Sequence, residues 1–242
     1  MSYPGGKGAS GVVQQIINQQ PPHRIYLEPF LGGGAVLRAK RPAAASLAFD
    51  LNEEAIRSFR IWNGISVEIR NEDALNYLEE HILTPDTLIY CDPPYPKEAR
   101  ARNRDLYAHE FDSDAHRRLL TRLLELDCMV QISTYENPLY STMLRGWRKI
   151  EFQAMTRGGL RTEQLWMNYP EPKALHDYTY LGANYRQRHR INRKVARWRS
   201  RIAKLDPLER LALLSAMLAG TAIPVDAADN TAKSPALPPI NK

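Results

Sequence analysis

Apolar positions along this chain fall into two rhythms, short unbroken runs and longer stretches at helical spacing. Residues 88–91 and 128–133 are short apolar runs and read as buried strands, and 24–28, 46–50 and 67–70 read as a first, second and third strand. Between them lie helical stretches at 12–17, from Ala35 onward, from Glu53 to about Trp62, and at 74–78. A further helix follows a cap at Asp112 or Ser113, with Leu119, Leu120, Leu123 and Leu124 as its apolar stripe. Strands alternating with helices predict an α/β domain built on a largely parallel sheet. Residues 150–154 and 163–168 read as a closing antiparallel pair around a turn at 156–161. Asn52 is expected to cap the helix opened by Glu53 and Glu54.

The composition changes after Tyr169-Pro170-Glu171-Pro172, which sets an expected boundary near residue 170. Ile191, Val195, Trp198, Ile202 and Leu205 then follow one another at spacings of 4, 3, 4 and 3, one stripe of a helix. Asp206-Pro207-Leu208-Glu209 supplies a cap, a proline at the first helical position and an early glutamate for a second, strongly apolar helix over 208–218. A helical hairpin docked on its own stripe is expected over 171–219, and a disordered tail over 220–242.

Charge sharpens this division. The 242 residues carry a net charge of +6. Nine Lys or Arg and no acid lie between Tyr185 and Lys204, so the remainder is about −3 (6 minus 9). Such local basicity suits a polyanion, and Arg186, Arg190, Arg193, Arg197 and Arg201 are candidate nucleic-acid contacts; a solvated charged helix is the plainer alternative. No apolar run reaches the ~18 residues of a membrane span. Residues 1–5 lack the pattern that opens a signal peptide. Cys91 and Cys128 sit in apolar runs without zinc-site spacing, as core thiols of a reduced, cytoplasmic protein. No metal site is expected.

The chemistry concentrates in Leu88-Ile89-Tyr90-Cys91-Asp92-Pro93-Pro94-Tyr95. Two prolines must end the strand, leaving Asp92 and Tyr95 at its carboxyl end, where open α/β sheets build their sites. The Asp92 carboxylate and the Pro94 carbonyl can each accept one N–H of an exocyclic amine, and Tyr95 offers a ring on which a base stacks. Arg24-Ile25-Tyr26-Leu27-Glu28 followed by Pro29-Phe30-Leu31-Gly32-Gly33-Gly34 is a strand, a glycine turn and a helix start, a geometry that receives an anionic group. Asp50 ends the next strand, placed either for ribose hydroxyls or as a cap. Asp73 suits an adenine amine or, equally, a helix N-cap. Residues 96–112 lack periodicity and carry Arg100, Arg102 and Arg104, a binding loop or a solvated one. Arg157 and Arg161 flank the 156–161 turn.

Tyr3-Pro4-Gly5-Gly6-Lys7-Gly8, Glu28-Pro29-Phe30-Leu31-Gly32-Gly33-Gly34, Asp50 and Asp92-Pro93-Pro94-Tyr95, in that order, resemble the D12-class, Dam-like DNA adenine-N6 methyltransferases over roughly residues 1–170. The resemblance implies a Rossmann-like S-adenosylmethionine-dependent methyltransferase sheet, here with a C-terminal basic helical hairpin. It implies S-adenosylmethionine as cofactor, contacted by Tyr3, Gly5, Gly6, Lys7, Pro29, Phe30, Gly32, Gly34, Asp50, Asp73 and Asp92. It implies catalysis at Asp92, Pro93, Pro94 and Tyr95 on an adenine flipped out of double-stranded DNA, by a monomer or weak dimer of bacterial or phage origin. RNA adenine or DNA cytosine-N4 methylation, and a non-catalytic nucleic-acid-binding protein on the same fold, are the alternatives. The chain departs from the family in one respect. Gly34 and Asp92 are only 58 positions apart (92 minus 34), and two βα units and a strand use them all. No room remains for the recognition domain that these relatives insert there.

Overall fold

The computed structural model describes residues 11–60, 67–96, 111–156 and 159–220. Seven strands form one sheet in the order β3-β2-β1-β4-β5-β7-β6. The strands are β1 (Ile25–Glu28), β2 (Ala45–Phe49), β3 (Glu68–Arg70), β4 (Thr87–Cys91), β5 (Met129–Thr134), β6 (Arg148–Thr156) and β7 (Gly159–Met167). The first five are parallel, and β7 runs antiparallel to both β5 and β6. The chain therefore winds outward from β1 through β2 to β3, then returns to start β4 on the other side of β1. That reversal makes β1 and β4 the flanks of a switch point, beyond whose carboxyl ends open α/β sheets build their sites. This is the Rossmann-like α/β sheet that the sequence predicts. The inner parallel strands are buried on both faces, so β4 reads as an apolar run rather than an alternation, whereas β3, at the sheet edge, has Glu68 exposed and Ile69 and Arg70 half-buried.

The two faces of the sheet are unlike. On one, Leu27, Leu47, Phe49, Ile89, Cys91, Val130 and Ile132 form a single apolar core with Leu75 and Leu78 of α4 (Ala74–Glu80) and Leu119, Leu120 and Leu123 of α5 (Ser113–Leu124). Tyr140 of α6 (Pro138–Met143) joins the same core. The other face turns Tyr26, Glu28, Ser46, Tyr90, Gln131 and Ser133 toward α1 (Val12–Ile17) and α2 (Ala35–Ala39), and all six are buried. Buried polar groups must find partners, and most of these do. Gln20 donates to Gln131 at 3.2 Å, Gln131 to the Ile16 carbonyl at 3.4 Å, and Tyr26 to Glu28 at 2.8 Å; the Tyr90 and Ser133 hydroxyls are 3.1 Å apart.

Local chemistry sets the helix starts. Asn52 accepts from the Glu54 N–H at 2.9 Å, opening α3 (Glu53–Arg60) as expected. Asp112, of the two candidates, caps α5 by accepting from Ala115 at 2.8 Å. Asn137 caps α6 with Pro138 at its first turn, a helix absent from the sequence expectation. The segment 171–177 is held to the sheet domain, where the Asp177 carboxylate accepts the Arg41 N–H at 2.8 Å and the His176 N–H reaches the Gln20 carbonyl at 2.9 Å.

The contacts divide the chain into two compact units, with Tyr178 opening the second. Its α7 (Tyr185–Ala203) is capped by Asn184, whose side chain accepts from Gln187 at 3.0 Å. Asp206 likewise caps α8 (Pro207–Gly220), accepting from Leu208 at 2.9 Å. At 3.6 residues per turn, Arg186, Arg190, Arg193, Arg197, Arg201 and Lys204 fall within an arc of about 80° and span about 27 Å. These five arginines and Lys204 are all exposed. The apolar stripe is only partly covered: Ile191, Ile202 and Leu205 are half-buried, whereas Val195 and Trp198 are 51% and 50% exposed.

Candidate active site

Two loops meet at the switch point, and each has a physical reason for its shape. After β1 the chain bends through Pro29, Phe30 and the three glycines. Gly32 and Gly34 take φ of +48° and +60°, the left-handed region that side chains other than glycine rarely adopt. Gly34 also has no room for a side chain, because a Cβ would lie 2.5 Å from two carbons of the Phe59 ring and 3.0 Å from Leu31. The bend is fastened to β2 by the Leu31 N–H on the Phe49 carbonyl at 2.8 Å. Asp50 completes the fastening. One of its oxygens accepts the Gly32 N–H at 2.7 Å and the other the Asn52 N–H at 2.8 Å. This acid thus holds the turn in shape, a role the spacing from the turn does not reveal.

On the other flank, Asp92 follows directly from the last residue of β4 and is half-buried. Pro93 is buried and Pro94 half-buried. Tyr95 is not displayed at the rim; it is 4% exposed, with its ring edge-on to Tyr135 at 4.5 Å. Tyr135 comes just after β5, and its own ring lies under the Arg161 guanidinium at 4.3 Å. Phe30, from the glycine bend, meets Phe111 edge-to-face at 5.5 Å, and Phe111 meets His116 of α5 in the same way at 4.8 Å.

Buried acids lie near the switch point. Glu28 ends β1 and is fully buried; burial pushes its carboxyl up to about 8, and the Asp92 charge nearby adds to the rise while the Tyr26 hydroxyl bond opposes it. β4 pairs in parallel with β1, so Asp92 lies beside the strand from which the glycine bend departs. Glu163 of β7 is also buried. Burial raises the Tyr95 phenol well above its ordinary range, with Asp92 and then Glu163 adding to it, so this hydroxyl stays protonated. Lys40, at the far end of α2, is pushed down to about 7 by burial, with Glu28 and Asp177 opposing. Its ammonium sits 4.1 Å over the Tyr26 ring.

The remaining candidates scatter. Asp73 is the N-cap of α4, accepting from Leu75 at 2.9 Å. Arg161 lies against Tyr135. Arg186, Arg190, Arg193, Arg197 and Arg201 lie on α7 in the second unit. Tyr3, Gly5, Gly6 and Lys7, Arg100, Arg102 and Arg104 of the 96–112 loop, Arg157, and the tail from 221 fall outside the described residues. Three groups at the crevice were not anticipated: Glu28, Glu163 and Tyr135. Glu28 had a signal, since an acid that ends an apolar strand just before a glycine bend points at the same crevice.

Comparison with known proteins follows this geometry. Residues 49–158 match the family model of the D12 class N6 adenine-specific DNA methyltransferases, a stretch that includes Asp92-Pro93-Pro94-Tyr95. No curated protein matches the chain. Among solved structures, precorrin 8W decarboxylase of Methanobacterium thermoautotrophicum aligns with a TM-score of 0.45 at 15% identity, over 69% of this chain and 94% of that one. The N-methyltransferase NodS of Bradyrhizobium japonicum aligns with a TM-score of 0.44 at 11% identity, over 65% and 93%. Magnesium protoporphyrin IX methyltransferase of Synechocystis, with bound SAM, aligns with a TM-score of 0.42 at 12% identity, over 68% and 87%.

Proposed function

We propose that this chain is an S-adenosylmethionine-dependent methyltransferase that methylates N6 of an adenine flipped out of double-stranded DNA. The observation that carries the proposal is the pairing of two motifs across one switch point. The glycine bend follows β1, and Asp92-Pro93-Pro94-Tyr95 follows its neighbour β4. The D12 family match over the second of these supports the acceptor as adenine in DNA.

The residues present fit a cationic cofactor. S-adenosylmethionine carries a sulfonium and an ammonium, and Asp92 and Glu163 act on the buried Tyr95. Burial raises Glu28, and a positive ligand beside it would favour its ionised form. The bend at Gly32–Gly34 would hold the cofactor with backbone alone, Asp50 keeping that bend in place, and Phe30 would wall it. When bound, the cofactor supplies an electrophilic methyl group.

What the protein does is prepare the acceptor. Unpairing and extruding a base costs a few kcal/mol, which contacts along the duplex repay. Asp92 and the Pro94 carbonyl accept the two N–H groups of N6 and draw its lone pair out of the ring. Pro93 and Pro94 fix the backbone so that this acceptor pair needs little rearrangement. A strong base is unnecessary, because the nitrogen sheds its proton only after it has become cationic. The rate then comes from positioning and from the electrostatics of the crevice.

Without an inserted recognition domain, DNA is held by the basic ridge of α7, and the target sequence is short or relaxed. The ridge presents its cations to phosphates, which orient the protein without reading bases. The test is analysis of nucleosides from DNA incubated with the protein and S-adenosylmethionine. N6-methyladenine from the wild type, and none from Asp92→Ala with its fold and DNA affinity retained, is the expected result. N4-methylcytosine, or modification of RNA alone, would overturn the acceptor.

A further inference from the structure

We propose that the tip of the β6–β7 hairpin is an apolar wedge, with Met155 and Leu160 entering the base stack of a duplex where the target adenine leaves it. The inference rests on the DNA methyltransferase reading and adds how the substrate of that reaction is opened.

The register places the hairpin beside the site. β4 pairs with β5 up to Cys91 and Ile132, so Asp92, the next residue, comes level with Ser133. β5 last pairs with β7 one position further on, at Thr134 and Gln164. Because β7 is antiparallel to β5, its residues before Gln164 continue past the carboxyl end of β5, the edge of the sheet at which Asp92 stands. β6 and β7 stay paired over this stretch, out to Thr156 and Gly159. The five residues from Gln164 to Gly159, at 3.4 Å each, carry the pair about 17 Å beyond β5. The inner side of this two-stranded finger is continuous with the site, since Arg161 lies over Tyr135 and the Tyr135 ring meets that of Tyr95.

Side chains alternate between the two faces of the finger. One face carries Phe152, Ala154, Arg161 and Glu163, all buried or half-buried. The other begins with polar pairs. Gln164 donates to Glu151 at 3.0 Å and Gln153 to Thr162 at 2.9 Å, each directly across the strands. The next pair on that face is Met155 and Leu160, 61% and 64% exposed. A ladder that is polar at two rungs therefore turns apolar at its outermost one. Water is the poorest surroundings for such a pair, and the end of a projecting finger is where another molecule meets it first.

Position and chemistry together identify that molecule. An adenine drawn out of a duplex leaves the flat apolar faces of its neighbours uncovered, and lost stacking is a main cost of extrusion. Leu and Met are among the side chains that proteins insert between base steps. The finger rises from the edge that holds the acceptor groups, so its tip meets the duplex while the extruded base reaches Asp92. Its ladder of backbone and side-chain hydrogen bonds sets the wedge before DNA arrives, and little ordering remains to be done on binding. The α7 ridge has a different task, holding phosphates without reference to the step that opens.

The test uses the full chain and duplexes in which the methylated adenine has been mapped. Met155→Ser combined with Leu160→Ser changes two exposed positions, and should leave denaturant unfolding and S-adenosylmethionine affinity by calorimetry at their wild-type values. On a fully paired duplex the double variant is expected to lose on the order of tenfold in kcat/KM. With a mismatch opposite the target adenine, where extrusion is cheaper, the loss should shrink to within about twofold. With 2-aminopurine at the target position, fluorescence should rise on binding of the wild type and far less on binding of the double variant. Met155→Leu combined with Leu160→Met keeps the tip apolar and should follow the wild type throughout. Undiminished kcat/KM of the serine variant on paired DNA, or an equal loss on paired and mismatched duplexes, would overturn the wedge. So would light scattering in which the wild type is a dimer and the serine variant a monomer with an unchanged 2-aminopurine signal, which would make the tip a contact between two copies of the chain. If the wild type binds cofactor and DNA yet methylates neither duplex, the methyltransferase reading falls and the wedge with it, an outcome distinct from an active enzyme indifferent to its tip.

Discussion

Gly34→Ala puts the glycine bend under the sharpest test, because two separable penalties act at one position. The residue takes φ of +60° and ψ of +33°, and placing an alanine there costs about 1–2 kcal/mol in backbone strain. The added methyl would lie 2.5 Å from the Phe59 ring, under any real carbon contact, so the ring must move. Overpacking of that kind costs about 1–3 kcal/mol. The two together give roughly 2–5 kcal/mol, a large share of the stability of an ordinary domain. A double-mutant cycle with Phe59→Ala separates the collision from the strain. In urea unfolding, Gly34→Ala should cost about 1–3 kcal/mol less in the Phe59→Ala background than in the wild type, since the backbone strain remains and the collision is gone. Gly146 takes φ of +99° with nothing within 4 Å of its would-be Cβ, so Gly146→Ala carries backbone strain without a collision. Calorimetry should show S-adenosylmethionine affinity reduced in Gly34→Ala and unchanged in Gly146→Ala. An equal cost of Gly34→Ala in the wild-type and Phe59→Ala backgrounds would refute the close packing on which this part of the site rests.

Other outcomes follow from the same contacts. Asp50→Ala removes the acceptor of two backbone N–H groups, and should cost about 1–3 kcal/mol in denaturant unfolding and weaken cofactor binding; wild-type behaviour in both would remove the fastening role. Glu28 holds its proton up to about pH 8 in the folded state against an ordinary 4.5, so the stability it confers is full below 4.5 and lost as pH rises toward 8. Lys40, lowered from 10.5 to about 7, adds stability as pH rises over that higher window. Between pH 5 and 7 Glu28 loses stability while His23 and His176, both lowered by burial, gain it as pH rises toward 6.5; the wild type should therefore fall behind Glu28→Gln by up to about 3 kcal/mol over that window, and parallel curves would contradict the burial of that acid. Removal of residues from 178 onward should weaken DNA binding and flatten its salt dependence while leaving cofactor affinity intact; unchanged binding would free α7 from its DNA role.

The inner parallel strands were legible because burial on both faces leaves an apolar run such as Leu88–Cys91, but their order in the sheet was not, since an apolar run does not say which strand lies beside it. The candidate site was legible where backbone chemistry dictates it, at the prolines that stop β4 and the glycines that bend the chain after β1. Side-chain roles were less so. Asp50 and Asp73 both occupy positions that suit a ligand, yet each is engaged by backbone N–H groups, and spacing alone does not separate an acid that binds from one that caps. Tyr95 was read as displayed because a strand end faces a crevice. Its burial depends on Tyr135, 40 positions away in sequence (135 minus 95) and brought there only by strand pairing. The helix α6 was missed although Asn137-Pro138 is a cap followed by a first-turn proline, because six residues give too short a stripe to register as periodic. In the second unit the apolar spacing located α7 correctly, but spacing does not say what covers a stripe.

The most direct measurement is mass spectrometry of nucleosides released from duplex DNA after incubation with the purified protein and methyl-labelled S-adenosylmethionine, with Asp92→Ala alongside. Labelled N6-methyladenine in the wild-type sample and its absence from the Asp92→Ala sample is the predicted result. Label on another base, equal label in both samples, or no label in DNA from a wild type that binds both cofactor and duplex would contradict it.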